Sequence, residues 1–144
     1  MFHVKQILIM PKIFTSKKQK IGELGENIAK RFLVKQGFSI LERNYTKKWG
    51  EIDIVAEKKG KIHFVEVKSM SISPFEIVSH ETLENYRPEE NMHPWKMKRL
   101  ARAIQTYILS RKLEEKEWQV DLLAVFLDLE NKSSRVRVVK NVIL

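Results

Sequence analysis

Four side chains in this sequence have the types and spacing to do chemistry together: Glu26, Asp53, Glu66 and Lys68. Glu66 and Lys68 fall two apart in Val65-Glu66-Val67-Lys68, an alternation that reads as a strand with both charges on one face. Asp53 lies 13 residues before Glu66, with Lys58-Lys59-Gly60 between them as a hairpin connection. Acidic groups crowded at one point repel one another unless a cation lies between them. Mg²⁺ takes hard oxygen ligands and keeps several waters, so one or two carboxylates and a substrate phosphate suffice to hold it. A metal so placed lowers the pKa of a bound water and neutralises charge developing on a phosphate. A lysine beside it can orient that water or stabilise the extra negative charge of the transition state. The expectation is a Mg²⁺-dependent phosphodiester hydrolase, with Mn²⁺ as a possible substitute, Asp53 and Glu66 as metal ligands, and Glu26 completing the cluster as a metal or water ligand.

The positioning elements follow from periodicity. Ile21, Leu24, Ile28, Phe32 and Leu33 recur at helical spacing, and Gly37 is a natural stop, which predicts a helix over 21–36. Strands are predicted at 38–45, 50–57 and 61–68, a second helix at 94–113 with Pro94 in its first turn, and closing strands at 119–129 and 135–143. Residues 69–95 read as a long loop, with a short helix near 81–86, and residues 1–20 as an N-terminal extension with an edge strand at 4–9 and a basic linker. The nuclease-like domain is then 21–144, in the order α-β-β-β-α-β-β. An even number of residues in the hairpin loop sets Glu51 opposite Glu66 and Asp53 opposite Phe64, leaving Asp53 and Glu66 as diagonal neighbours about 7–8 Å apart at Cα. An odd number puts the two carboxylates on opposite faces.

Each residue also has a plainer role open to it. A Glu-x-Lys strand pair is often a solvated surface contact, and Glu26 can pair with Lys30 one turn on. Lys96 sits where it could snorkel to water or grip a phosphate. His63 falls on the strand face opposite Glu66, which suits packing better than metal ligation. The histidines at 3, 80 and 93 share no metal-ligand spacing.

At 144 residues, 43% hydrophobic and 31% charged, the chain is long enough for one domain with its own core. The net charge of +9 is unevenly spread: residues 1–50 hold 11 Lys/Arg against 3 acids, and residues 96–113 hold 6 cations and no acid. The acidic middle between them contains the carboxylates. A basic surface around an acidic centre suits a polyanion that delivers a phosphate to a metal. The absence of cysteine excludes disulfides and thiolate metal sites and leaves the compartment open. With no apolar run of membrane-spanning length and no convincing export signal, no membrane partner and a cytoplasmic location are the expectations.

The ordered set Gly22-Glu23-Leu24-Gly25-Glu26, Gly50-Glu51-Ile52-Asp53 and Phe64-Val65-Glu66-Val67-Lys68, followed by Lys96, Leu100, Tyr107 and Val120-Asp121-Leu122-Leu123, resembles the YraN family of predicted bacterial endonucleases. That family is similar to the archaeal Holliday junction resolvases and the wider PD-(D/E)XK nuclease fold. The resemblance implies a central mixed β-sheet flanked by α-helices, restriction-endonuclease-like, with Mg²⁺ on Asp53 and Glu66, Lys68 as catalytic lysine, Glu26 as the first-helix glutamate and Glu51 as an auxiliary carboxylate. Ile52 stands where the "PD" motif has proline. The implied substrate is branched or structured DNA, more readily than RNA, gripped by Arg43, Lys96, Lys98, Arg99 and Arg102. A junction that needs two matched cuts favours a homodimer. The alternative is a nucleic-acid-binding protein with little or no nuclease activity of its own.

Overall fold

The apolar stripe of the first helix and the alternation of the strands build two cores, one on each face of a single sheet. The computed structural model describes residues 2–5 (as backbone), 17–72, 87 and 92–144. In chain order the elements are β1 (Phe2–Lys5), α1 (Lys17–Lys35), β2 (Ser39–Lys47), β3 (Gly50–Lys58), β4 (Lys61–Ser71), α2 (Pro94–Ser110), β5 (Trp118–Asp128) and β6 (Ser133–Val139). The sheet order is β1-β6-β5-β4-β3-β2, antiparallel except for the β4–β5 pair. That parallel pair is joined by a crossover carrying α2, as parallel neighbours require.

On one face α1 buries Leu24, Ile28, Phe32 and Leu33 against Ile54, Ala56, Val65, Leu123 and Val125. On the other, α2 buries Leu100, Ala103, Ile104 and Tyr107 against Tyr45, Ile52, Val55, Phe64 and Leu122. Adjacent residues of a strand, such as Phe64 and Val65, thus serve opposite layers, as a pleated strand must arrange. Chain reversal after α1 uses Gly37 at φ 94°. The amide of Phe38 bonds the Leu33 carbonyl and that of Gly37 the Val34 carbonyl, both at 3.0 Å, the Schellman pattern that satisfies the last carbonyls of a helix. At the start of α2, the His93 side chain accepts from the Trp95 amide at 3.2 Å, and Pro94 fills the first turn.

Several expected boundaries move. Helix α1 starts at Lys17 rather than Ile21, β4 runs on to Ser71, and α2 ends at Ser110. The expected edge strand at 4–9 is found as β1 at Phe2–Lys5, paired to β6, with positions 6–9 outside the described residues. The expected short helix at 81–86 also lies outside them, as does most of 69–95.

Candidate functional site

The connection between β3 and β4 is even, as the site needs. Lys58 pairs with Lys61, and the two residues between, Lys59 and Gly60, have φ 51° and 77°, the type I′ geometry that matches strand twist. The register is nevertheless shifted by two residues from the expected one. Ile54 pairs with Val65 as the last pair of the ladder, so in this register Asp53 is level with Glu66 rather than with Phe64, and Glu51 does not face Glu66. The reason is the position of the turn: it is centred on Lys59-Gly60, one residue later than the expected register needs, which moves every partner by two.

Pairing between β3 and β4 ends at Ile54–Val65, while β4 continues alongside β5 to Ser71 and β3 stays on β2 down to Gly50. The strands part, and the Asp53 carboxylate fills the fork: its Oδ2 accepts the Val67 amide at 2.8 Å, in place of a ladder carbonyl. Strict alternation also breaks here. Ile52 packs with the α2 core and Ile54 with the α1 core, although they are two apart. Asn44, between the β2 residues paired to Ile54 and Ile52, takes φ 53°. Asp53 therefore does not simply share a face with Val55, and it can meet groups from both layers.

Those groups are Glu26 from α1 and Glu66 from β4, and each carboxyl is within hydrogen-bonding reach of Asp53. The three form a series, Glu26–Asp53–Glu66, rather than a cage; among the described residues no three His, Asp or Glu side chains enclose a ready-made cation site. Burial pushes the Glu66 carboxyl up to about 8, with Asp53's negative charge adding to the rise and Lys96 opposing it. Burial raises Asp53 as well, while the Val67 amide works the other way. An N–H donor favours the anion, so the proton shared by this pair belongs on Glu66. Glu26 rises to about 6, first through burial and then through Asp53's charge, with Arg43 pulling it back. Acids this close need protons or a cation between them, and Asp53, Glu66 and Glu26 offer hard oxygens of the kind Mg²⁺ accepts.

The cluster opens into a cleft of about 730 Å³ that also takes in Glu51, Lys68 and Lys96. Lys96, at the N-terminal turn of α2, stands 3.6 Å from Glu66 Oε1. Lys68 is lowered by burial and then by the Lys96 charge, with Glu66 opposing. Glu51 is exposed at the rim. Lys17 and Lys18, which the sequence suggested were linker, begin α1 and line the same cleft. Their signal was the basic run ahead of Ile21. The Val67 amide had no side-chain signal at all.

Of the expected nucleic-acid contacts, Arg43 turns toward α1, 4.0 Å from Glu26 and donating to Asn27 Oδ1 at 3.1 Å; Glu26 is thus tied to Arg43 rather than to Lys30. Arg99 donates to the Lys48 carbonyl at 3.2 Å and lies over the Trp95 ring at 5.3 Å. Lys98 and Arg102 are exposed on α2. His63 is indeed away from the cluster: its Nδ1 is 2.7 Å from Asp121 Oδ2, and its ring meets Phe38 edge-on at 4.8 Å. Sequence reasoning did not anticipate the buried Asp121, which also accepts from Gln119 Nε2 at 2.6 Å and the Asn141 amide at 3.0 Å.

A mixed sheet between two helices, in the order α-β-β-β-α-β-β with a short extra strand at its edge, is the α/β fold of the restriction-endonuclease-like class. Within it the profile of the Uncharacterised protein family UPF0102 matches residues 25–125. The chain belongs to that family, also called YraN. It is 36% identical over 126 residues to a UPF0102 protein of Campylobacter fetus subsp. fetus, covering 88% of this chain and 96% of that one. It is 35% identical over 126 residues to one of Moorella thermoacetica, covering 88% and 97%. Among the described residues, no helix is long and apolar enough to cross a membrane.

Proposed function

We propose that this protein is a Mg²⁺-dependent endonuclease that hydrolyses phosphodiester bonds in DNA, with branched or otherwise structured DNA as substrate. The observation that carries the reading is the β3–β4 fork, where a half-buried Asp53 and a buried Glu66 meet with a proton held between them. The donor set fits a hard divalent ion: two adjacent carboxyls that share a proton can exchange it for a cation, and Glu26 stands next in line. When bound, Mg²⁺ would supply an activated water and charge neutralisation at the phosphate. Asp53 and Glu66 would hold the ion, Glu26 would orient a water, and Lys68 would sit beside the developing charge. The depressed pKa of Lys68 suits exchange of a proton with that water. Lys96 would pass from Glu66 to the incoming phosphate.

The contact between Lys96 and Glu66 also supports the second reading, a nucleic-acid-binding protein with little turnover, since an ammonium there neutralises part of the cluster without a metal. The two separate in one experiment. Purified protein is incubated with four-way junction, flap and blunt duplex DNA in Mg²⁺ and in Mn²⁺, alongside Asp53→Ala and Glu66→Ala. The nuclease reading expects cleavage of at least one branched substrate, lost in both variants; salt-sensitive binding without cleavage supports the second.

A further inference from the structure

Tryptophan is rarely left in water, yet Trp95 is 61% exposed. It is one residue from Lys96, whose ammonium reaches the cluster, so the indole leaves the same first turn of α2 about a third of a turn round the helix from the cleft. Its orientation is fixed from one side: the Arg99 guanidinium covers a ring face at 5.3 Å and is tied to the Lys48 carbonyl at 3.2 Å. Further along the same helix, Trp49 from the β2–β3 turn donates its indole N–H to Thr106 Oγ1 at 2.9 Å and remains 38% exposed. Residues 95, 99, 102 and 106 step by four, three and four, which puts them on one stripe of α2. The turn is set flush against this stripe because Gly50 has no side chain. A Cβ there would run into the Arg99 carbonyl, with the carbonyl carbon 2.8 Å away.

We infer that this stripe is a stacking platform for unpaired bases, and that the substrate of the neighbouring cluster is DNA with a single-stranded arm beside the scissile phosphate. The inference rests on the nuclease reading for its scissile phosphate and on the α2 stripe for its unpaired bases. Non-specific single-strand sites combine a basic groove with aromatic rings on which bases stack, a guanidinium adding to the contact. Here Lys48, Lys98, Arg99 and Arg102 lie among two indoles, and α2 has no acidic residue. From residue 95 to 106 the helix rises about 16 Å, the length of four or five stacked nucleotides at ~3.4 Å each. Blunt duplex hides its bases from such a surface and would use only the cations.

The test is DNA binding by the full chain in chelator, read by fluorescence anisotropy on a single strand, a splayed-arm fork and a blunt duplex. Trp95→Ala should weaken the single strand and the fork roughly 5- to 150-fold, the worth of one stacked base, and leave the duplex within about twofold. Trp95→Phe should restore most of the loss. Equal losses on all three substrates, no loss on the fork, or no DNA binding by the unaltered protein would each overturn the inference, the last pointing to a protein partner for the stripe. Cleavage in Mg²⁺ is followed in parallel. Cleavage without Trp95-dependent selectivity removes the platform and keeps the nuclease; selectivity without cleavage does the reverse.

Discussion

Replacing Glu66 by glutamine should stabilise this protein at alkaline pH, against the usual direction for a buried residue with a charged partner. In the fold, burial and Asp53 lift the Glu66 carboxyl from 4.5 to about 8. The folded chain therefore holds a proton that the unfolded chain has released over that interval. Stability falls as pH rises wherever the native state binds more protons, so the loss begins above pH 4.5 and is complete near pH 8. A tenfold change in an acid constant is 1.36 kcal/mol, which makes the ceiling about 5 kcal/mol. Adjustment of Lys96 and of water at the cleft lowers the expected size to about 2–3 kcal/mol. Glutamine keeps the shape, donates as the protonated acid does and never ionises. For a chain of this length 1 kcal/mol is roughly 3–4 °C in Tm, so Glu66→Gln should melt about 6–12 °C above the unaltered protein at pH 8 and close to it near pH 5. Thermal melts in chelator across that range read the difference. A part of the slope survives in the variant, because Glu26 loses its own proton near pH 6. Added Mg²⁺ should raise the melting temperature of the unaltered protein and leave Glu66→Gln nearly unmoved. Parallel pH slopes for the two proteins, or a variant that melts lower at pH 8, would refute the reasoning.

Four other substitutions probe how the fold is held around the site. Gly50→Ala should cost about 2–3 kcal/mol in denaturant unfolding, since the obstacle is the Arg99 carbonyl, which cannot rotate away, and the Ala103 Cβ 3.1 Å off. Gly25→Ala should cost a similar amount, because the added Cβ meets the Ser69 hydroxyl and lies 2.6 Å from the Ser69 Cβ. A Ser69→Gly change should recover about 1–2 kcal/mol of that in a double-mutant cycle; simple additivity would place the clash elsewhere. Asp121→Ala strips partners from His63, Gln119 and the Asn141 amide, and should cost about 2–4 kcal/mol while leaving divalent-ion binding unchanged in a titration.

The elements were readable because both cores are written as periodicity. The α1 stripe from Leu24 to Leu33 and the α2 stripe from Leu100 to Tyr107 are helical repeats, and Lys59-Gly60 marks the turn between two alternating runs. Candidate site residues were readable as types, and the fold does bring Glu26, Asp53, Glu66 and Lys68 to one cleft. Their contacts were not, because they depend on where a ladder stops. No residue pattern marks the end of β3–β4 pairing at Ile54–Val65, so neither the meeting of the Asp53 and Glu66 carboxyls beyond it nor the Val67 amide bonded to Asp53 could be foreseen. The tie between Arg43 and Glu26 depends in the same way on how α1 docks over β2. Trp95 lies out of phase with the core stripe of Leu100, Ala103, Ile104 and Tyr107, which the sequence does show, but helical phase alone does not tell a docking ring from a surface one; its exposure does.

The central claim is that the Asp53–Glu66 pair is completed by a divalent cation. Calorimetric titration of Mn²⁺ at pH 7, repeated in two buffers of different ionisation enthalpy, addresses it directly. One ion per chain should bind with release of close to one proton, the proton that Glu66 holds at that pH, and Asp53→Asn should abolish the saturable heat. Binding of the same strength in Asp53→Asn, or no saturable binding in the unaltered protein, would contradict the account.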